Sequence, residues 1–127
     1  MKKKILIVED EMTILNVLVD KFTLEGFEMA VAKNGQEGLK AALENHPDLI
    51  LLDIVMPIMD GMTMLSKLRK DSWGKDVSVI FLTNLSDASR VLQSLDQGVN
   101  DYLVKSDWKI KDIVEMVKGK LKNKSIE

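Results

Sequence analysis

The chain has 127 residues, a length that suits one domain. Its 46% hydrophobic and 30% charged residues are typical of a soluble globular protein, and its net charge of −2 gives no general attraction to nucleic acid or anionic membranes. The absence of cysteine excludes disulfides, a thiolate nucleophile and cysteine-bound metal. No apolar run reaches the ~20 residues of a membrane span, and the run at residues 5–8 is too short for a signal peptide. We therefore expect a cytoplasmic protein.

Three short apolar runs, at residues 4–8, 49–52 and 77–82, predict buried strands. Strands that are apolar throughout are typical of a parallel sheet with helices on both faces. Residues 28–33 and 101–105 are weaker strand candidates and are expected nearer the edges of the sheet.

Apolar residues recur at helical spacing in the five segments that follow these strands. Gly26 and Pro47 predict the ends of the first two helices, and Ser86 and Gly98 predict the start and the end of the fourth. The periodic positions are Ile14, Leu15, Leu18, Val19 and Phe22; Leu39, Ala42 and Leu43; Met62, Leu65 and Leu68; Val91, Leu92 and Leu95; and Ile110, Ile113, Val114, Val117 and Leu121. Five repeats of strand and helix predict one doubly wound α/β domain over residues 1–122, with right-handed crossovers and a parallel sheet. Residues 123–127 are expected to form a polar, frayed tail.

Polar residues follow the predicted strands at the point where each strand ends. The first strand is followed by Glu9 and Asp10, the third by Asp53, the fourth by Thr83, and the fifth by Lys105. Open parallel sheets bind ligands beyond the carboxyl ends of their strands, so these side chains are expected at one edge. A buried carboxylate without a partner is unfavourable, which makes Asp53 a candidate either for pairing or for chemistry.

The loop "VEDEM" after the first strand would repel a nucleotide phosphate and attract a hard divalent cation. Asp10 and Asp53 are candidate Mg²⁺ ligands, the backbone carbonyl of Val55 is a third, and Glu9 could hold a metal-bound water. The ammonium of Lys105 and the hydroxyl of Thr83 could contact the oxygens of a phosphoryl group. These groups suit phosphoryl transfer with a carboxylate as the covalent acceptor.

The stretches "ILIVEDE", "LILLDIVMPIMDG", "VIFLTN" and "GVNDYLVKS" occur in the order and at the spacing of the receiver domains of two-component response regulators. The sequence resembles that family along nearly its whole length. The resemblance implies a flavodoxin-like (βα)5 fold with strand order 2-1-3-4-5. It also implies that Asp53 accepts a phosphoryl group from a sensor histidine kinase or a histidine phosphotransfer protein, with Glu9 and Asp10 holding Mg²⁺.

By the same resemblance, Thr83 and Lys105 contact the phosphoryl oxygens, and Tyr102 is the aromatic switch whose ring turns inward when Thr83 is drawn to the phosphate. The fourth helix, the fifth strand and the fifth helix then form the surface for a downstream protein target. Its candidate contacts are Arg90, Gln93, Tyr102 and Lys109. Neither nucleic acid nor a membrane is expected as a direct partner, and the chain is expected to be a monomer or a phosphorylation-dependent dimer.

The sequence departs from the family at two positions. Ser106 follows Lys105 where the family usually has proline, which predicts a trans peptide bond there because a non-proline cis bond costs about 2.5–4 kcal/mol. Asn84 replaces a residue that is usually small and is expected to alter the rate of phosphorylation. Val55 and Leu85 are apolar near the expected path of attacking water, so the phosphoryl group is expected to be long-lived.

Other interpretations remain open. A phosphatase with an aspartate nucleophile commonly has a second acid two residues on, but Val55 occupies that position, so we expect self-modification and no turnover of a metabolite. A phosphorylation-independent docking module and the receiver half of a larger DNA-binding transcription factor are the alternatives. The chain ends after the fifth predicted helix, which favours a stand-alone regulator. Tyr102 could equally be a partly buried core residue, and Glu11 a first-turn acid favoured by the helix dipole.

Overall fold

A computed structural model describes residues 2–84, 98–99, 101–105 and 109–126. Its strands are β1 (Lys4–Val8), β2 (Glu28–Ala32), β3 (Leu49–Asp53), β4 (Ser78–Thr83) and β5 (Asp101–Val104). Its helices are α1 (Met12–Leu24), α2 (Gly35–Asn45), α3 (Gly61–Leu68) and α4 (Ile110–Ile126), which is the fifth helix predicted from the sequence. The fourth predicted helix lies outside the described residues, whereas Gly98, the predicted stop after it, is described.

The five strands form one parallel sheet in the order β2-β1-β3-β4-β5, which confirms the predicted topology. The central strand β3 pairs with β1 from Leu49 opposite Ile5, and with β4 as far as Asp53 opposite Leu82. Because all strands run in the same direction, their carboxyl ends meet at one edge of the sheet. The order of the strands reverses between β1 and β3. Sheets of this kind bind ligands beside the carboxyl ends of the strands at such a reversal.

Alternate residues of the strands pack on opposite faces of the sheet, each against a different pair of helices. One layer holds Ile5, Ile7, Leu49, Leu51, Ile80 and Leu82 against the apolar faces of α1 and α4. The other holds Leu6, Val8, Ile50, Leu52, Val79 and Phe81 against α2 and α3. The continuous apolar runs of the strands are therefore explained by burial on both faces.

Residues with positive φ end two of the helices where the sequence predicts the ends. Gly26, after α1, has φ of 94°, and His46, after α2, has φ of 47°. The backbone N–H of His46 donates to the carbonyl of Ala42, as is typical of a left-handed cap. The His46 ring also stacks on Trp73, with the ring centroids 4.2 Å apart and the planes 7° from parallel. Gly98 has φ of 77°, which suits a residue that follows a helix.

The prediction of a frayed tail from residue 123 is wrong for the described residues, because α4 continues to Ile126. Lysine is a good helix former, which favours continuation of the helix through this polar segment. No helix in the described part of the chain combines the length and the apolar character needed to cross a membrane.

Candidate functional site

The ends of four strands carry the polar side chains that the sequence predicts at one edge. Asp53 is the last residue of β3 and Thr83 the last residue of β4. Glu9 directly follows β1, and Lys105 directly follows β5. The backbone N–H of Lys105 donates to the carbonyl of Thr83 over 2.7 Å, which continues the β4–β5 pairing and brings Lys105 to the edge.

The ammonium group of Lys105 is surrounded by carboxylates. Its Nζ lies 2.5 Å from Oε1 of Glu9 and 3.1 Å from Oδ2 of Asp53, with the three side chains almost fully buried. Glu11 is a third neighbour, with its Oε1 3.9 Å from the same Nζ. Lys105 therefore contributes one positive charge that partly balances several negative ones, and it is a buried partner of Asp53, not a solvated lysine at the edge of the sheet.

An acidic cluster lies beside this lysine. Glu9, Asp10 and Asp53 each offer a carboxylate oxygen, and these oxygens lie within 4.8 Å of one another. Glu9 is fully buried and Asp53 is buried, whereas Asp10 faces solvent. The Oε2 atom of Glu9 is buried and has no hydrogen-bond partner. A buried oxygen without a partner and two neighbouring carboxylates fit a hard divalent cation, with its bound water as the missing donor.

The electrostatics of the site follow from burial. Desolvation, reinforced by the neighbouring Asp53, raises the pKa of Glu9 to about 8, despite the opposing effect of Lys105. Burial would lower the pKa of Lys105, but its hydrogen bond to Glu9 and the charge of Asp53 outweigh this, so the pKa is raised. The lysine is therefore charged at neutral pH, whereas burial and the neighbouring Asp53 disfavour the charged form of Glu9 in the absence of a cation.

Thr83 and Tyr102 lie on the two strands beyond Asp53. Thr83 is fully buried, and its hydroxyl donates to the carbonyl of Asn84 over 3.0 Å. It comes one residue after Leu82, the pairing partner of Asp53. The side chain of Tyr102 on β5 is 45% exposed, so it is not a core aromatic in this conformation.

The turn after Asp53 contains the predicted carbonyl ligand and a residue that the sequence analysis missed. Val55 lies in this turn with a half-exposed side chain, and the role of its carbonyl stays a prediction. Gly61, the first residue of α3, donates its N–H to the carbonyl of Ile54 over 2.8 Å. A Cβ atom at Gly61 would overlap the carbonyl oxygen of Asp53, so only glycine permits this close approach. The glycine after "MPIMD" was the available signal.

Glu11 was also underestimated by the sequence analysis, which gave it only a helix-dipole role. It occupies the N-cap position of α1 but makes no side-chain capping hydrogen bond, and it contacts Lys105 instead. Lys109, a predicted partner contact, is exposed. Several predictions concern positions outside the described residues, namely Leu85, Arg90, Gln93 and the peptide bond to Ser106.

Comparison with known proteins agrees with the fold. The sequence model of the response regulator receiver domain matches residues 5–118. The probable transcriptional regulator ycf27 of Cyanophora paradoxa is 39% identical over 104 residues, which cover 82% of this chain and 42% of that protein. The transcriptional regulatory protein PrrA of Mycobacterium tuberculosis is 37% identical over 121 residues, covering 95% of this chain and 51% of that protein. The chain thus spans about half the length of these curated relatives.

Solved structures give the same result. A CheY-like receiver domain protein from Methanospirillum hungatei superposes with a TM-score of 0.89 at 30% identity, covering 98% of both chains. The receiver domain of a sensor histidine kinase from Pseudomonas aeruginosa, with a magnesium ion coordinated in its active site cleft, has a TM-score of 0.84 at 25% identity. That match covers 95% of this chain and 98% of the other.

A doubly wound parallel sheet with an acidic cluster and a buried lysine at its carboxyl edge defines a receiver-type signalling domain. The chain belongs to the response regulator receiver domain family of two-component systems.

Proposed function

We propose that Asp53 is the phosphoacceptor of a two-component phosphorelay and that a sensor histidine kinase or a histidine phosphotransfer protein is the donor. The observation that carries this proposal is the position of Asp53. Its carboxylate ends the central strand, lies 3.1 Å from the ammonium of Lys105 and shares an acidic cluster with Glu9 and Asp10. A carboxylate held beside a fixed cation is suited to accept a phosphoryl group.

In the proposed reaction, a carboxylate oxygen of Asp53 attacks the phosphorus of a phosphohistidine. A P–O bond forms while the P–N bond breaks, and the electron pair returns to the imidazole nitrogen, which then takes a proton from water. The Nζ of Lys105 already lies 3.1 Å from Oδ2 of Asp53, so it is placed to contact an oxygen of a phosphoryl group on that carboxylate. Thr83 can exchange its hydrogen bond to Asn84 for one to another phosphoryl oxygen. This chemistry requires positioning and charge neutralisation more than covalent assistance.

Magnesium is the proposed cofactor, bound by Asp10, Asp53 and the carbonyl of Val55, with Glu9 holding a bound water. When bound, it neutralises charge on the carboxylates and on the phosphoryl oxygens. The unpartnered Oε2 of Glu9 supports this assignment because it lacks a donor that a metal-bound water supplies. The magnesium ion in the receiver domain from Pseudomonas aeruginosa supports the choice of metal.

We expect the chain to modify itself and not to turn over a metabolite. A phosphatase that uses an aspartate nucleophile needs a general acid near the leaving group. The residue two positions after Asp53 is Val55, which is apolar and half-exposed. It cannot provide a proton.

The output of the switch is proposed to be a protein-binding surface formed by the predicted fourth helix, β5 and α4. The phosphoryl group on Asp53 carries roughly −1.5 to −2 charges, by analogy with other phosphorylated side chains, and replaces the single negative charge of the carboxylate. The response of Thr83 to that charge reaches β5 through the hydrogen bond between the Lys105 N–H and the Thr83 carbonyl. Tyr102, half-exposed on β5, is the proposed aromatic switch at this surface. Lys109 is a further candidate contact at this surface.

A second candidate is the receiver half of a larger DNA-binding transcription factor. It is favoured by the fact that the matched relatives are transcriptional regulators and about twice as long as this chain. The alternative of a phosphorylation-independent docking module retains the same surface but needs no modification of Asp53.

Reaction with acetyl phosphate and magnesium, followed by intact mass spectrometry, tests the proposal. The wild type is expected to gain the mass of one phosphoryl group, and Asp53→Asn is expected to gain none. Asp20→Asn, which removes an exposed carboxylate from α1, serves as the matched control and should react like the wild type. A wild type whose mass stays unchanged with both acetyl phosphate and a phosphorylated kinase would refute the assignment and favour the docking module.

A further inference from the structure

The turn between Asp53 and α3 has a strained backbone. Ile58, in the middle of this turn, has φ of 69°. The N–H of Met59 donates to the carbonyl of Pro57 over 2.7 Å, so Ile58 is the central residue of a γ-turn. The positive-φ form of this turn is rare, and a β-branched residue in it is an outlier that typically marks a functional constraint.

Strain of this kind persists only where the surrounding structure holds it. One restraint is local, because the N–H of Gly61 closes the turn on the carbonyl of Ile54. A second restraint comes from a distant part of the sequence. The N–H of Gly35, the first residue of α2, donates to the carbonyl of Met59 over 2.8 Å. The first N–H groups of a helix have no partner within the helix, and this one is used to hold the turn.

The contact between α2 and the turn requires glycine at position 35. A Cβ atom there would lie 2.5 Å from the carbonyl oxygen of Met59, 2.9 Å from Cγ of Met59 and 3.0 Å from the carbonyl oxygen of Asp60. Two of these three atoms belong to the backbone, so they cannot move aside by a change of rotamer. Any side chain at this position therefore displaces the turn from α2.

The start of α2 is itself held firmly. The Oδ1 atom of Asn34, a buried side chain, accepts from the N–H of Glu37 over 2.9 Å. The Nδ2 atom of Asn34 donates to Oε2 of Glu37 over 2.6 Å. The cap and the side-chain hydrogen bond together hold the first turn of α2, to which Gly35 belongs. Strand β2, which precedes α2, is linked to the acidic cluster, because the N–H of Glu9 donates to the carbonyl of Ala32, the last residue of β2, over 3.0 Å.

We propose that Gly35 is a positioning residue for the magnesium site, holding the turn after Asp53 in its strained conformation from the start of α2. The turn carries the carbonyl of Val55, and it begins at the residue that supplies a carboxylate ligand. A shift of the Met59 carbonyl away from α2 would displace the turn that carries the Val55 carbonyl. This inference rests on the proposed magnesium binding at Asp10 and Asp53 and adds a residue that touches neither the metal nor the phosphoryl group.

Calorimetric titration with Mg²⁺ tests the proposal in the unphosphorylated protein. Substitution of residues that orient metal ligands typically weakens metal binding about 10–100-fold, so Gly35→Ala is expected to raise the dissociation constant by at least about tenfold. Gly119→Ala is the control, since nothing lies within 4 Å of a Cβ at that helical glycine and binding should be unchanged. Urea unfolding confirms that each variant is folded under the titration conditions.

Asn34 provides a second pair of variants that add no Cβ clash. Asn34→Ala removes the cap and should weaken Mg²⁺ binding several-fold, whereas Asn34→Ser keeps a capping oxygen and should restore it. A merely stabilising role for the cap would alter the unfolding midpoint and leave the affinity of the folded protein unchanged. In addition, the Gly35 amide should exchange its hydrogen slowly, unlike a helix-start amide without a partner.

The outcomes separate the two proposals. If the wild type binds no magnesium, the proposed function fails. If the wild type binds magnesium and both Gly35→Ala and Asn34→Ala bind it equally well, or if the Gly35 amide exchanges as a free amide, the positioning role of Gly35 is refuted while the proposed function stands. Should Gly35→Ala not fold, the Asn34 pair and the exchange rate decide.

Discussion

Replacing Ile58 by asparagine should stabilise the metal-free protein. Ile58 adopts φ of 69°, in a sparsely populated region that costs a residue with a side chain on the order of 1–3 kcal/mol. Asparagine occurs at positive φ several times more often than other residues with a side chain, so it should relieve part of this cost, and it avoids the additional backbone entropy of glycine. The substitution therefore relieves backbone strain without the increase in unfolded-state conformational entropy that glycine would cause.

The magnitude follows from the exposure of the side chain. Complete burial of an isoleucine contributes about 1.5–3 kcal/mol. Ile58 is 77% exposed, so its replacement loses only about a quarter of that contribution, or about 0.5 kcal/mol. Subtracting this loss from the strain relieved leaves a net gain of about 1 kcal/mol. For a domain of this size, such a gain corresponds to a rise in Tm of about 3–5 °C.

Urea unfolding without magnesium, followed by circular dichroism and by tryptophan fluorescence, measures the change in free energy. Leu24→Asn is the control, because Leu24 is 82% exposed but lies at the end of α1 with no positive φ. It should give no gain in stability. If Ile58→Asn is no more stable than the wild type, or only matches Leu24→Asn, then the turn after Asp53 does not hold the strain inferred from its backbone.

Three further predictions concern the acidic cluster and its surroundings. Asp10→Asn should stabilise the metal-free protein by about 1 kcal/mol in urea unfolding, because it relieves repulsion between carboxylates, and should weaken Mg²⁺ binding. The pKa of Glu9 is raised from 4.5 to about 8 in the folded protein, so the free energy of unfolding should fall as pH rises between these values. The fall should be at most about 1.4 kcal/mol per pH unit, and Glu9→Gln should remove this pH dependence. Val55→Asn should speed loss of the phosphoryl group several-fold by orienting water, measured by mass spectrometry over time, whereas Val31→Asn, at a similarly half-exposed valine, should not. Equal rates for the two valine variants would exclude a role for residue 55 in dephosphorylation.

The fold and most of the site were predictable because their signals are local. The apolar runs of β1, β3 and β4 and the helical spacing of α1 and α4 follow from which faces are buried, and that pattern is present in the sequence. Strand ends mark the edge of the sheet, so the positions of Asp53 and Lys105 could be inferred without knowledge of any contact. The end of α4 was misjudged because a polar composition does not distinguish an exposed helical turn from a frayed tail.

The roles of individual charged residues were less predictable. Glu9, Asp10 and Glu11 are consecutive and chemically similar, yet the fold buries the first, exposes the second and brings the third towards Lys105. Which of them pairs with the lysine depends on the direction of each side chain after β1 and on the arrival of β5 from far along the chain. The sequence places all three at the edge but cannot assign their partners.

By itself, the sequence determined which segments form the strands and the described helices, and the edge at which the polar residues gather. These properties depend on periodicity and on strand ends, which are local along the chain. The order and spacing of its motifs also indicated the family to which the chain belongs. Only the tertiary structure decided that Oε2 of Glu9 is buried without a hydrogen-bond partner, that Ile58 is held in a strained turn and that Gly35 contacts that turn. Each of these depends on the approach of segments distant in sequence, at distances too short to be inferred from residue types.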